Sequence, residues 1–224
     1  MTSTLRLHYA PDNASLCVRL ALEMVSVPYT TVLVDRAARA QKSASYTALN
    51  PNGLIPTLET SKGVIFETGA ILLWVADQTP GTLFPKSDAQ DRGVALTWLF
   101  WLSNTLHPTL RMLFYPEQYA RDPIAIANMT RDRLQQFLTL VDGVWPDVGK
   151  TPVLQCYLAP MLRWSALYGG DTRWFRLSDY PALAAFAHEF EDHPAARKAA
   201  RAEGLGPTPF SAPIAPNPPE GSAT

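Results

Sequence analysis

The stretch Leu49-Asn50-Pro51-Asn52-Gly53-Leu54-Ile55-Pro56-Thr57-Leu58, followed by Phe66-Glu67-Thr68-Gly69-Ala70-Ile71, constrains the fold of this chain more than any other segment. An Asn-Pro-Asn-Gly turn delivers a short apolar run that Pro56 interrupts. Proline brings no N–H to a ladder, so a strand tolerates it at an edge. An X-Pro bond also adopts the cis form readily, which here predicts an Ile55 whose backbone N–H and C=O stay free to face a ligand. Residues 63–66 read as a strand, and Glu67-Thr68 opens a helix. Unpaired N–H groups and the positive dipole end of that helix favour an anion. A peptide with a carboxylate end could therefore pair with Ile55 and set its carboxylate at Thr68.

The residues before this segment alternate in type. Leu5-Arg6-Leu7-His8-Tyr9 has strand periodicity, broken by Ala10-Pro11-Asp12-Asn13. Residues 14–26 read as a helix with Leu16, Leu20 and Met24 on one side and Asp12 or Asn13 as its cap. Tyr29–Val34 is β-branched and reads as a second strand, and a polar helix is expected near 37–48. The order β-α-β-α-β-β-α up to residue 79 fits a thioredoxin-like layer. Residues 80–86 read as a linker, Ser87-Asp88-Ala89-Gln90 has capping-box spacing, and helical patterns then run to about residue 205. The expected fold class is thus an α/β thioredoxin-like domain over 1–79 and an all-α domain over 87–205. Residues 206–224 hold Pro207, Pro209, Pro213, Pro216, Pro218 and Pro219 with Glu220 as the sole charge. That composition predicts a disordered tail, with a tail laid over its own domain through Phe210 and Ile214 as the alternative.

Composition excludes several classes. A net charge of −1 projects no field toward nucleic acid or an anionic membrane. The two cysteines, Cys17 and Cys156, lie far apart without a C-x-x-C, so neither a disulfide framework nor a metal site is expected. Cys17 shares a helix face with Leu20, Ala21 and Met24, which reads as an inert buried thiol, and Cys156 reads the same way. No signal peptide is visible and no apolar run is long enough to span a bilayer, which predicts a cytoplasmic protein.

The Ile55-Pro56 and Glu67-Thr68 pairs, in an α/β part followed by an all-α part, resemble the glutathione transferase family, and the resemblance covers roughly residues 5–205. Ala182-Leu183-Ala184-Ala185-Phe186, His193-Pro194-Ala195-Ala196 and Ala202-Glu203-Gly204-Leu205 look like that family's closing helices. The resemblance implies a thioredoxin-like half that binds glutathione as co-substrate through Ile55, Pro56, Glu67 and Thr68. It also implies a homodimer, to which the aromatic-rich Trp98–Trp101 segment would contribute apolar surface. Arg39 lies near the point where bacterial beta-class members place a lysine for the glycine carboxylate.

A glutathione enzyme holds a thiolate near neutral pH, and the resemblance places the activating donor at the first strand–helix junction. Beta-class members carry a catalytic cysteine where this chain has Ala14. Ser15, Asn13 and Tyr9 remain as donors there, in that order of preference. Helix capping by Asn13, a first-turn position for Ser15 and core packing for Tyr9 are the structural alternatives. Phe100, Asn104, His107 and Arg111 share one helical stripe. The segment Trp98–His107 is similar to the beta-class segment whose histidine reaches the sulfur, so His107 is the fourth candidate. Pro108 is expected to kink that helix. Thr151-Pro152 replaces the family's usual capping box at the helix central to the second domain.

The function implied is conjugation of the glutathione thiolate to a small hydrophobic electrophile, a detoxifying transferase. Glutathione-dependent disulfide reduction and a non-catalytic binding module are the rival readings. Fold alone does not choose among them.

Overall fold

The computed structural model describes residues 5–223. Four strands form one sheet in the order β2-β1-β3-β4: β1 is Leu5–Tyr9, β2 Tyr29–Leu33, β3 Thr57–Thr60 and β4 Gly63–Phe66. β1 runs parallel to β2 (Leu7 opposite Thr31), and β3 is antiparallel to both β1 (Leu7 opposite Leu58) and β4 (Leu58 opposite Ile65). The parallel pair needs a crossover, supplied by α1, Ser15–Met24. Leu16, Leu20 and Ala21 of α1, Leu7 of β1 and Leu58 of β3 are fully buried in the layer between helix and sheet. α3, Thr68–Gln78, follows β4 and buries Ile71, Leu72 and Val75. This is the thioredoxin-like half.

The polar helix expected over 37–48 is shorter than its pattern. A 3-10 turn spans Ala40–Lys42, and α2 is one turn, Ala44–Thr47, capped by the Ser43 hydroxyl. The Asn50–Gly53 turn that follows is pinned from inside. The Asn50 side chain donates to the Leu54 carbonyl at 2.8 Å and accepts from the Asn52 N–H at 3.1 Å. Gly53 has φ +57°, and a Cβ there would stand 2.7 Å from the Gln41 carbonyl oxygen, so a side chain is excluded twice over.

The second half is helical. α4 is Arg92–Trp101, a π turn covers Leu102–Leu106, and α5 is His107–Phe114. Ser87 does not cap α4: tight turns occupy the preceding residues, and the helix starts where Arg92 donates to the Pro85 carbonyl at 2.5 Å. A π turn stands just before Pro108, at the position where the kink is expected. A wider turn draws the Asn104 carbonyl away from a ring that would clash with it in regular α-helix, and the His107 N–H bonds Leu102 instead. α6 is Pro123–Val148, α7 Pro152–Leu167, α8 Pro181–Glu191 and α9 Pro194–Glu203. Each opens on proline, whose missing N–H has no intrahelical partner at that position anyway. Thr151 caps α7 by backbone alone, while Gln155 reaches back to the Gly149 carbonyl at 2.7 Å. Trp98 and Trp101 contact each other at 5.3 Å, and Trp101 meets Phe137 of α6 at 5.6 Å, so much of that aromatic surface is used within the chain.

α1 packs against α7 and α9 and α3 against α7, and a buried polar cluster crosses this boundary. Arg19 of α1 pairs with Glu203 of α9 at 2.7 Å, and Asp12 pairs with Arg163 of α7 at 2.9 Å. Burial pushes the Glu203 carboxyl up to about 7, with Arg19 pulling the other way. Cys17 and Cys156 are free and buried, and burial raises both thiols. Among the described residues no helix is long and apolar enough to cross a membrane.

The proline-rich tail, expected to be disordered, is laid over the molecule as far as residue 223. Its Pro residues preclude helix, yet its carbonyls and one aromatic ring find partners on both halves. Arg163 donates to the carbonyls of Leu205, Pro209 and Ile214 at 3.2, 3.2 and 2.9 Å. Glu191 accepts from the Phe210 and Ser211 N–H groups, and Phe210 is 1% exposed. Ile214, by contrast, keeps its side chain 58% exposed and contributes its carbonyl. Gly204, at φ +64°, lets the tail pass, since a Cβ there would overlap the Asn217 carbonyl at 2.0 Å. Farther on, Glu220 accepts from the Tyr9 hydroxyl and the Ala223 carbonyl from Arg36.

Candidate functional site

A cavity of about 700 Å³ lies between the halves. Its sheet-side wall includes Asn50, Leu54, Ile55 and Pro56. The Ile55–Pro56 bond is cis. Ile55 makes no backbone hydrogen bond to another described residue, because β3 starts only at Thr57. Both residues line the cavity.

Next to them stands the N-terminus of α3. Thr68, Gly69 and Ala70 line the cavity, and their N–H groups belong to the first helical turn, where no carbonyl precedes them. Glu67 caps this helix with φ 73° and ψ 119°, a conformation that costs a non-glycine residue about 1–3 kcal/mol. Its carboxylate is exposed and accepts from the Asn52 side chain at 3.3 Å. An acidic side chain thus flanks an anion-seeking helix end, which suits a group carrying both an ammonium and a carboxylate.

The β1–α1 junction sorts the three candidate donors. Asn13 lines the cavity, and its side chain has no hydrogen-bond partner among the described residues. Ser15 does not line it: its hydroxyl donates to the Ala10 carbonyl at 3.1 Å and accepts from the Ala10 N–H at 3.3 Å, fully buried. The turn passes through Asp12 at φ 49°, which carries the Ser15 side chain inward. Tyr9 is also inside, 3% exposed, with its ring under the Arg19 guanidinium at 4.7 Å and its hydroxyl on Glu220. Burial, then the Glu220 hydrogen bond, pushes that phenol well above its usual range. Arg39 is exposed in a left-handed turn away from the cavity. Arg36 reaches the cavity instead, because the chain turns between the two.

The helical wall holds the stripe Phe100, Asn104, His107 and Arg111, all four on the cavity. His107 Nδ1 lies 3.1 Å from the Tyr157 hydroxyl. Burial, followed by the charge of Arg111, lowers the His107 pKa to about 4, so the ring is neutral at physiological pH. If Tyr157 donates to Nδ1, the proton sits on Nε2. Burial raises the Tyr157 phenol, with a hydrogen bond from Thr68 working against it. Tyr157 of α7 lines the same cavity as Thr68 of α3. Its place in an apolar helical run marks it in sequence as core, and only the distant Thr68 and His107 reveal it as cavity lining. Tyr115 and Trp164 were hidden in the same way. Leu99, Phe100, Phe114 and Trp164 make this wall largely apolar.

Comparison with known proteins adds a family context. The family model for the glutathione S-transferase N-terminal domain matches residues 3–77. The chain is 29% identical over 210 residues to glutathione S-transferase GST-4.5 of Xanthomonas campestris pv. campestris, covering 90% of this chain and 100% of that protein. Among solved structures it is similar to a glutathione S-transferase from Xylella fastidiosa, with a TM-score of 0.79 at 27% identity over 90% of this chain and 100% of that one. A glutathione transferase homolog from sulfitobacter, solved with bound glutathione, shares the fold at a TM-score of 0.77 and 22% identity, over 87% of this chain and 96% of that one.

Proposed function

Because the chain belongs to the glutathione S-transferase family, we propose that it conjugates glutathione to a hydrophobic electrophile. The observation that carries this reading is the opposition, within one cavity, of the unpaired Ile55 backbone and the α3 N-terminus to an apolar helical wall. In this reading the glutathione backbone pairs with Ile55 beside Pro56. Its γ-glutamyl carboxylate meets Thr68 and the N–H groups of α3, and its ammonium meets Glu67. The cysteinyl sulfur then faces the start of α1. A free thiol has a pKa near ~8.5, and the Asn13 amide with the helix N-terminus lowers it. The thiolate attacks an electrophilic carbon held against Phe100 and Trp164, and the leaving group departs with the electron pair. Juxtaposition of the two reactants supplies much of the rate gain. His107, neutral, offers an N–H or a lone pair to the sulfur or leaving group.

Glutathione-dependent disulfide reduction is favoured by one observation, the unpartnered Asn13 amide on the cavity wall where no thiol stands. Calorimetric titration with glutathione, then turnover of a chloronitrobenzene against a mixed disulfide, tests the readings in order. Conjugation of the arene is the expected result. Turnover of the disulfide alone selects the reductase, and glutathione binding without either reaction selects the binding module.

The same reading includes a two-fold dimer in the cytoplasm. Val94 of α4, 54% exposed, supports an apolar interface, and the two buried free thiols suit a reducing compartment. Sedimentation showing a monomer at micromolar concentration would remove the dimer.

A further inference from the structure

Arg36, in the loop after β2, and Arg111, on α5, come from opposite halves and converge on Tyr115. The Arg36 guanidinium donates to the Tyr115 hydroxyl at 2.8 Å, and that of Arg111 lies 5.1 Å from the Tyr115 ring centroid. All three line the cavity, as do Phe114 and Tyr168. Their remaining partners are neutral: the Ala223 carbonyl for Arg36 and the Gln118 amide oxygen, at 3.0 Å, for Arg111.

Neither arginine has an ion-pair partner among the described residues, in contrast to Arg19 and Arg163, each of which holds a carboxylate. The cavity's own acids do not fill the gap. Asp12 is engaged by Arg163, Trp164 and Tyr168, and Glu67 accepts from Asn52. Among the described residues, two cations of like sign thus border a partly apolar pocket with only dipoles to answer them. Such an arrangement repels a further cation and rewards an anion, above all a planar carboxylate that matches the guanidinium fork.

We propose that Arg36, Arg111 and the Tyr115 hydroxyl form a carboxylate subsite in the co-substrate half of the cavity. The preferred electrophile then carries an acidic group remote from its reacting carbon. The Ala223 carbonyl occupies Arg36 as a neutral acceptor that a charged one displaces. This assignment rests on the transferase reading for the word co-substrate, and the subsite itself can be measured without turnover.

The test uses the full chain saturated with S-methylglutathione, which cannot react, and a matched pair of ligands, 4-chloro-3-nitrobenzoate and its neutral amide. Calorimetry is expected to show the benzoate binding ~10–100-fold more tightly than the amide at low salt, the range of one charge-assisted contact. In Arg111→Gln and in Arg36→Gln that ratio is expected to fall at least tenfold, and added salt should erode it in the wild type. Arg111 lies on a half-exposed helix position, so Arg111→Gln carries the test should Arg36→Gln fold poorly. Equal binding of the two ligands by the wild type, or a preference that survives both substitutions, overturns the subsite. If the preference and its loss are observed while glutathione itself conjugates neither compound, the subsite stands and the transferase reading falls.

Discussion

The Asp12 carboxylate and the Arg163 guanidinium meet at 2.9 Å with neither side chain exposed to solvent. Asp12 also accepts from the Trp164 indole at 3.0 Å and the Tyr168 hydroxyl at 2.5 Å, while Arg163 holds the Leu205 carbonyl and two tail carbonyls, of Pro209 and Ile214. One ion pair therefore fastens the cavity-lining β1–α1 turn, the central helix and the tail to each other. Arg163→Met leaves Asp12 buried without its cation and the tail carbonyls without donors. The expected loss is about 3–5 kcal/mol, the usual consequence of breaking a buried pair from one side. Urea unfolding measures it, and a loss below ~1 kcal/mol would show that the pair acts no more strongly than one on the surface.

Asn13 and Ser15 separate by what their side chains touch. Asn13→Ala removes an unengaged cavity donor, so the pKa of bound glutathione thiol should rise by ~1–2 units. Ser15→Ala removes a hydroxyl that closes the Ala10 turn and should cost about 1 kcal/mol of stability with little change in the thiol. Ultraviolet thiolate absorbance titrated against pH reads the first effect, and thermal melting the second. A thiol shift in the Ser15 variant alone would reverse the assignment.

At the first turn of α3, Thr68→Val keeps the β-branched shape and deletes the hydroxyl, and Glu67→Gln deletes the charge. Each should weaken glutathione by ~1–3 kcal/mol in calorimetric titration. Because the backbone N–H groups remain in both variants, binding should weaken and not vanish. Wild-type affinity in the two proteins would move the tripeptide elsewhere in the cavity.

His107 has a folded pKa near 4, below the ~6.5 of an unfolded chain. Between these values the unfolded state binds the proton and the folded state does not, so stability rises with pH. Its contribution is complete above about pH 6.5 and is lost as pH falls toward 4. His107→Gln should flatten stability against pH over that window. Nuclear magnetic resonance of the ring should show a midpoint near 4, and a midpoint at or above 6 would mean that the ring is charged in the working site.

The amino-acid sequence alone determined the strand and helix order of the first half, the unpaired Ile55 backbone before a cis Pro56, the Glu67-Thr68 helix start and the shared face of Phe100, Asn104, His107 and Arg111, whereas the edge position that Pro56 also allowed is not found, since β3 is paired on both sides. These features are local: a missing proline N–H, an orphaned helix turn and a periodicity act within a few residues. Tertiary structure decided which polar groups reach the cavity. Ser15 turned inward because Asp12 takes a left-handed conformation, and that turn is held by Arg163, 151 positions away. Tyr9 was claimed by Glu220, 211 positions away, through a tail whose composition alone argues for disorder. Arg36 faces the cavity in place of Arg39 because the chain turns between them, and Tyr157 joined the site only when α7 packed against α3. Side-chain direction and charge balance depend on partners brought together by folding, and no local pattern in the chain records them.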